Sequence, residues 1–384
     1  MSEKASYSIN KEEALKEACR ECDIKSLINL ANSDGGLLSD DIRATAWPLL
    51  LGCHDQDTQP VVDQRWTDLP VHSDEEQVQK DVDRAFVYYP SNETQSSLEN
   101  NRVALLNIIV KVLRLNPMLH YFQGYHDIAQ VFLLVLGEEA AFSAVSRMSL
   151  LRIRDYMLSS LSPATKHLQL IPAILRCADA ELADHLSSTP PYFALSAVLT
   201  LYAHDVQKYS DIARLYDFIL AHEPVYAIYL FAALIISRRP ELIEIAAEDH
   251  DMLLFTLSKL PQPLDLQTLI DKCLAMVKDY PPECLPGQAW RNISSYSVLK
   301  TSRENLREQS LVEGRALFNK HSQQLAREEM TAKVVKHMRK NRRPIILSGA
   351  TLLVGILSYY LRRNGTDRIL WSALWRIAEV FGNR

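Results

Sequence analysis

Along most of this chain, apolar residues recur three and four positions apart and strict alternation is nearly absent. That pattern predicts helices with few or no strands. Asn10-Lys-Glu-Glu13 reads as a helix N-cap with an acidic third position. Ala14, Ala18, Leu27, Ile28 and Leu30 suggest a buried face, and Gly35-Gly36 ends the segment. A second helix is expected over 39–51, capped by Ser39 and stopped by Gly52. Residues 53–73, rich in Asp, His and Pro, predict a long loop. Ser73 then caps a helix running to about Tyr89, with Asp74, Glu75 and Glu76 at its positive end. A strongly apolar helix over 98–115 is ended by Asn116-Pro117. From Gln123 to Lys278, helical segments alternate with breaks at Gly137, Pro163, Pro190-Pro191, Pro224, Pro240 and 261–263. The stretches 193–204, 212–221, 225–237 and 252–259 are too apolar for a surface and are expected in the core.

Beyond Pro281-Pro282 the character changes. Residues 295–340 are polar, charged and free of Pro, which suggests a long helix or a mostly helical linker. Residues 344–361 then carry no charge over 18 positions, and as a helix would span about 27 Å. That is the short end for a membrane crossing and suits a thin bilayer such as the endoplasmic reticulum. Tyr359 and Tyr360 sit where an aromatic belt belongs, and basic residues flank both ends. Residues 369–381 place Leu370, Leu374, Ile377 and Phe381 on one face beside Trp371 and Trp375, as in a helix lying on the interface. A single span and a hairpin returning to the cytosol both fit. The N-terminus lacks the continuous apolar core of a signal peptide, so the large N-terminal part is expected to face the cytosol.

Charge sharpens this division. The formal net charge of −5 hides a +9 in residues 333–384, leaving 31 basic and 45 acidic residues elsewhere, a net −14. An acidic body argues against nucleic acid as ligand, while a basic stretch beside an apolar one points to a membrane. Six cysteines are too few for a disulfide scaffold. Cys19-Arg-Glu-Cys22 has no second ligand pair to complete a zinc site.

No P-loop, dinucleotide fingerprint, zinc-protease or nucleophile-elbow motif occurs. Three patches stand out instead: Ile42-Arg43-Ala-Thr-Ala-Trp47-Pro48-Leu49-Leu50-Leu51-Gly52, then Val78-Gln-Lys-Asp81-Val-Asp-Arg84, then His120-Tyr121-Phe122-Gln123-Gly124-Tyr125-His126-Asp127-Ile128. Asp81 and Arg84 share a helix face, so the carboxylate can aim the guanidinium; alone they read as an ordinary surface ion pair. In this order and spacing the patches resemble the TBC-domain family of Rab GTPase-activating proteins, which shows R-x-x-x-W-x-x-L-L-G, I-x-x-D-x-x-R and Y-x-Q-G-x-x-D/N. The resemblance covers about 35–285. Two departures concern loop shape: the Gly36-Leu37-Leu38 entry lacks the family's Pro, and Tyr125 stands where Met is frequent.

The residue pattern, with the resemblance over 35–285, leads to the expectation of an all-α chain: an N-terminal helix (1–34), a helical TBC domain (35–285), a helical juxtamembrane linker (286–343), a transmembrane helix (344–361) and a short amphipathic tail (362–384). The resemblance implies Arg84 as an arginine finger and Gln123 as a second finger orienting the attacking water. Asp81 would aim Arg84, Tyr121, Gly124 and Asp127 would shape the Gln loop, and Arg43 and Trp47 would hold the fold. His126 invites a general-base role that the mechanism does not require, and reads as a structural or interface histidine. GTP and Mg²⁺ would belong to the partner, a Rab GTPase in its GTP form, so the chain would need no cofactor or metal of its own. It would activate an enzyme rather than turn over a substrate itself. The bilayer would be held through 344–361, with 367–381 as a further contact. A C-terminal anchor is similar to the endoplasmic-reticulum branch of the family, acting on Rab-one or Ypt-type GTPases of the ER-to-Golgi step, with the early Golgi as a second location. The competing expectation is a non-catalytic helical adaptor that binds a Rab or another trafficking partner.

Overall fold

In the computed structural model of the chain, described for residues 2–53, 65–90, 94–340 and Tyr359, helices are the only regular elements. The order is α1 (Ser2–Glu21), α2 (Ile24–Asn32), α3 (Asp40–Leu51), α4 (Glu75–Val82), α5 (Gln95–Leu115), α6 (Tyr125–Arg147), α7 (Ser162–Leu168), α8 (Leu170–Ala178), α9 (Ala180–His185), α10 (Leu195–Leu199), α11 (Tyr209–Ala221), α12 (Val225–Ser237), α13 (Arg239–Glu244), α14 (His250–Leu257), α15 (Leu266–Asp279), α16 (Val298–Thr301) and α17 (Leu311–Lys340). One compact unit runs Met1–Ser322; the second is Gln323–Arg384, whose described residues through Lys340 are helical. The expected transmembrane helix (344–361) and tail (362–384) lie outside the described residues, apart from Tyr359. Among those described, one helical stretch, Tyr125–Arg152, is long and apolar enough to cross a membrane. It contains α6, the central helix of the first unit, packed against α5 and α3 with Ile128, Val131, Phe132 and Val145 fully buried. Apolarity there reflects a core position.

Several sequence expectations are met and several are revised. α11 is buried from Ile212 to Ala221, and α12 nearly throughout. The stretch 252–259 is different: only Leu253 and Leu257 point inward, while Met252 and Phe255 are exposed. The first helix starts well before Asn10. The helix expected from Ser73 to Tyr89 stops at Val82, because Phe86 takes a left-handed backbone and its N–H turns to the Gln130 side chain instead of a preceding carbonyl. Arg84 therefore sits just past a helix end.

The region 286–322 contributes to the core through Val298, Leu299, Leu306, Phe318 and His321, all buried. Its docking explains Gly52, which ends α3 in a left-handed conformation. A Cβ at Gly52 would sit 2.5 Å from the Arg307 nitrogen, so only glycine admits this approach. Buried Arg147 clamps the junction, donating to the carbonyls of Leu51, Leu306 and Gln309.

Candidate functional site

The second motif lies on a firmly seated helix. Val78 and Val82 of α4 are buried, and Arg114 of α5 grips Glu75 with two hydrogen bonds of 2.7 and 2.8 Å. At the exposed end, Arg84 Nε donates to the Lys80 carbonyl (3.2 Å) and one terminal nitrogen to Asp81 Oδ1 (2.9 Å). The Arg84 side chain is still 70% exposed, against 1% for Asp81. Three of its five N–H groups thus have no partner among the described residues.

Buried Asp81 is the hub that joins this helix to the third motif. It accepts from Gln77 (3.0 Å) and, through Oδ2, from the Tyr121 hydroxyl (2.9 Å). That hydroxyl also lies 3.0 Å from His126 Nδ1. It has one proton, and with Asp81 taking it, His126 Nδ1 must carry the hydrogen and donate to the hydroxyl oxygen. The tautomer follows from this network. Burial pushes the His126 pKa below its ordinary value despite the nearby Asp127 and Asp81 carboxylates, so a neutral imidazole fits the site. Burial, then the Asp81 charge, holds the Tyr121 phenol well above its usual pKa, keeping it a donor.

Tyr121 is fixed at both ends, since its N–H donates to Asp74 (2.8 Å). Two residues on, Gln123 is exposed and makes no hydrogen bond among the described residues. Gly124 then turns the chain into α6 with φ +98°, and a Cβ there would lie 2.5 Å from the Thr200 methyl. Glycine is required twice over, by conformation and by space. Asp127, in the first turn of α6, accepts from His204 Nδ1 at 2.8 Å.

The first motif is elsewhere. Arg43 is buried and forks onto Asp217 of α11, Nε to Oδ1 at 2.9 Å and a terminal nitrogen to Oδ2 at 3.0 Å, with Asp40 taking a third donor. Trp47 Nε1 donates to the same Asp217 oxygen (2.9 Å), and the Leu37 N–H to the other. Burial works against the Arg43 charge, but the Asp217 carboxylate more than offsets this and its pKa stands above the ordinary value. This knot holds α3 on α11.

The structure thus gathers Asp81, Arg84, Tyr121, Gly124, His126 and Asp127 into one cluster around Gln123, the first three and His126 linked by hydrogen bonds, and keeps Arg43 and Trp47 apart from it. The sequence reading missed Asp217 and His204. Asp217 had a signal: a carboxylate inside the buried run 212–221 demands a cation. His204 had none, since its partner lies 77 positions away. Among the described residues no His, Cys, Asp and Glu cluster could hold a metal.

Comparison with known proteins bears on this arrangement. The sequence profile described as the Rab-GTPase-TBC domain matches residues 40–243. The chain is 35% identical to TBC1 domain family member 20 of Bos taurus over 271 residues, 70% of this chain and 66% of that protein, just under two thirds of its length. It is 30% identical to GTPase-activating protein gyp10 of Schizosaccharomyces pombe over 319 residues, covering 82% of this chain and 84% of the relative. The crystal structure of the Ypt/Rab-GAP domain of Gyp1p superposes with a TM-score of 0.53 at 14% identity, over 67% of this chain and 93% of that one. At that identity the likeness concerns the fold.

Proposed function

The chain belongs to the Rab-GTPase-TBC domain family, and on that premise we propose that it is a GTPase-activating protein for a membrane-bound Rab GTPase in its GTP form, supplying Arg84 and Gln123 in trans. One observation carries the reading: a guanidinium and a primary amide, both exposed, stand on two loops joined by a buried hydrogen-bond network through Asp81 and Tyr121.

Phosphoryl transfer to water spreads negative charge over the transferred group and the leaving oxygen, and an isolated GTPase answers that charge poorly. The open N–H groups of Arg84 can donate to two oxygens at once, which a lysine ammonium cannot reproduce. Asp81, aimed by Tyr121 and Gln77, fixes the guanidinium plane beforehand, so little reorganisation is needed at the transition state. The Gln123 amide offers both an acceptor and donors, which suits it to orient a water. GTP and Mg²⁺ are held by the partner.

The location belongs to the same proposal. The uncharged stretch 344–361 between basic clusters supports a span in the endoplasmic-reticulum membrane, with the folded part facing the cytosol, 367–381 on the interface, and an early-secretory Rab as substrate. Anchoring beside a lipid-anchored substrate raises its effective concentration.

The test is phosphate release from a panel of GTP-loaded Rabs with the full-length chain, Arg84→Ala and Gln123→Ala. Acceleration of an early-secretory Rab that Arg84→Ala abolishes and Gln123→Ala strongly reduces is expected. Folded protein with no effect on any Rab would overturn the catalytic reading in favour of an adaptor. Removing 341–384 should shift the chain from the membrane to the soluble fraction; full-length protein washed off membranes by salt would contradict a span.

A further inference from the structure

The turn from Thr200 to Asp205 touches both exposed loops at once, yet belongs to none of the three motifs. Its Thr200 methyl fills the space beside Gly124 that any side chain there would need. His204 Nδ1 donates to Asp127 Oδ2 at 2.8 Å, four residues after Gln123. Ala203 offers its carbonyl to the Tyr89 hydroxyl at 3.1 Å, five residues after Arg84.

We propose that this turn is a brace that holds the two loops in one register, and that His204 is a positioning residue within it, acting on Gln123 through Asp127. The role in catalysis rests on the reading of Arg84 and Gln123 as fingers; the brace itself is a property of the fold.

The turn is built to be stiff. Leu201 and Tyr202 are consecutive left-handed residues, φ 49° and 67°, a conformation that bulky side chains adopt only when their surroundings impose it. The surroundings do so: Tyr202 N–H bonds the Ala197 carbonyl, its hydroxyl reaches Ala227 of α12 at 2.7 Å, and Ser196 Oγ donates to Asp205. The turn therefore transmits the position of the α10–α12 core to the site. Asp127 spends one oxygen on His204 while the other faces His126 Nε2 at 3.3 Å. His126 in turn meets Tyr121, and Tyr121 meets Asp81 and hence Arg84. Asp127, His126, Tyr121 and Asp81 thus stand in series between His204 and the finger arginine, hydrogen-bonded at each step except Asp127–His126, where the neutral ring is held by packing. The His204 side chain is 59% exposed, so the core does not depend on it, and an effect on rate would report position rather than folding.

The experiment compares the full-length wild type with His204→Ala and His204→Asn, whose amide nitrogen can reach where Nδ1 sits. Amide hydrogen exchange at Tyr125 and Asp127, the thermal midpoint, and kcat and KM toward a responsive GTPase are read together. For His204→Ala, exchange at these two amides is expected to rise and kcat to fall, each about 10-fold, with KM and the midpoint nearly unchanged. His204→Asn should restore most of both. Unchanged exchange overturns the brace. A rise in KM with kcat intact makes His204 a contact for the GTPase and overturns the positioning role. A wild type inactive toward every GTPase defeats the finger reading, while the exchange result still decides the brace.

Discussion

Arg43 and Arg84 each belong to one of the three sequence patches, and the structure uses them in opposite ways. Arg43 is 8% exposed and held by two carboxylates, with two bonds to Asp217 and one to Asp40. Arg84 is 70% exposed and leans on one oxygen of one carboxylate, with the Lys80 carbonyl beside it. A buried guanidinium forked onto a buried carboxylate is a structural rivet, because taking away one partner strands a charge. A guanidinium aimed by a buried carboxylate and left open to solvent contributes little to stability and can serve a partner. Exposure of the guanidinium and the number of carboxylates holding it separate the roles; the residue type does not.

Substitutions test that contrast. The largest expected effect is on rate: Arg84→Ala should lower GTPase stimulation by about 10³-fold or more while the unfolding midpoint stays within a degree or two, measured by phosphate release and thermal melting of the same preparation. Asp217→Ala should do the reverse, destabilising the fold by about 3–5 kcal/mol, read by denaturant unfolding, with activity lost only as folded protein is lost. Gln123→Ala is expected to cost about 10²-fold in rate with no stability change. Tyr121→Phe removes the donor that aims Asp81 and leaves the buried carboxylate a partner short, for about 1–3 kcal/mol of stability together with a measurable fall in rate.

The smallest effect is a pH dependence. The hydrogen bond to Asp127 raises the His204 pKa above its ordinary value. The unfolded chain binds that proton less tightly, so this contribution to stability is complete below about pH 6.5 and is lost as pH rises through the folded pKa. Because the side chain is mostly exposed, screening limits it to a few tenths of a kcal/mol. The stability difference between wild type and His204→Asn should shrink by that amount between pH 6 and pH 8.5, in denaturant titrations.

Much of the fold was legible because helices announce themselves locally. The α3 stop at Gly52 and the burial of α11 and α12 followed from spacing and apolarity. Asp81 and Arg84 were legible as a pair, since i,i+3 contact is a local property. What escaped the sequence was long-range. The length of α4 was overread because Gln130, far along the chain, claims the Phe86 N–H. The apolar stretch 252–259 reads as core, yet α14 has a neighbour on one face alone, through Leu253 and Leu257. Asp217 and His204 act through partners 174 and 77 positions distant, and no spacing rule reaches that far.

The most direct test of the central claim is single-turnover GTP hydrolysis by a responsive Rab at saturating concentrations of the full-length chain, wild type against Arg84→Ala, with binding to the GTP-loaded Rab measured in parallel. The account predicts that Arg84→Ala still binds and still melts like the wild type, but leaves hydrolysis near the intrinsic rate. Wild-type stimulation by Arg84→Ala at saturation would contradict it, and would move the catalytic charge to a residue other than the one the structure leaves open.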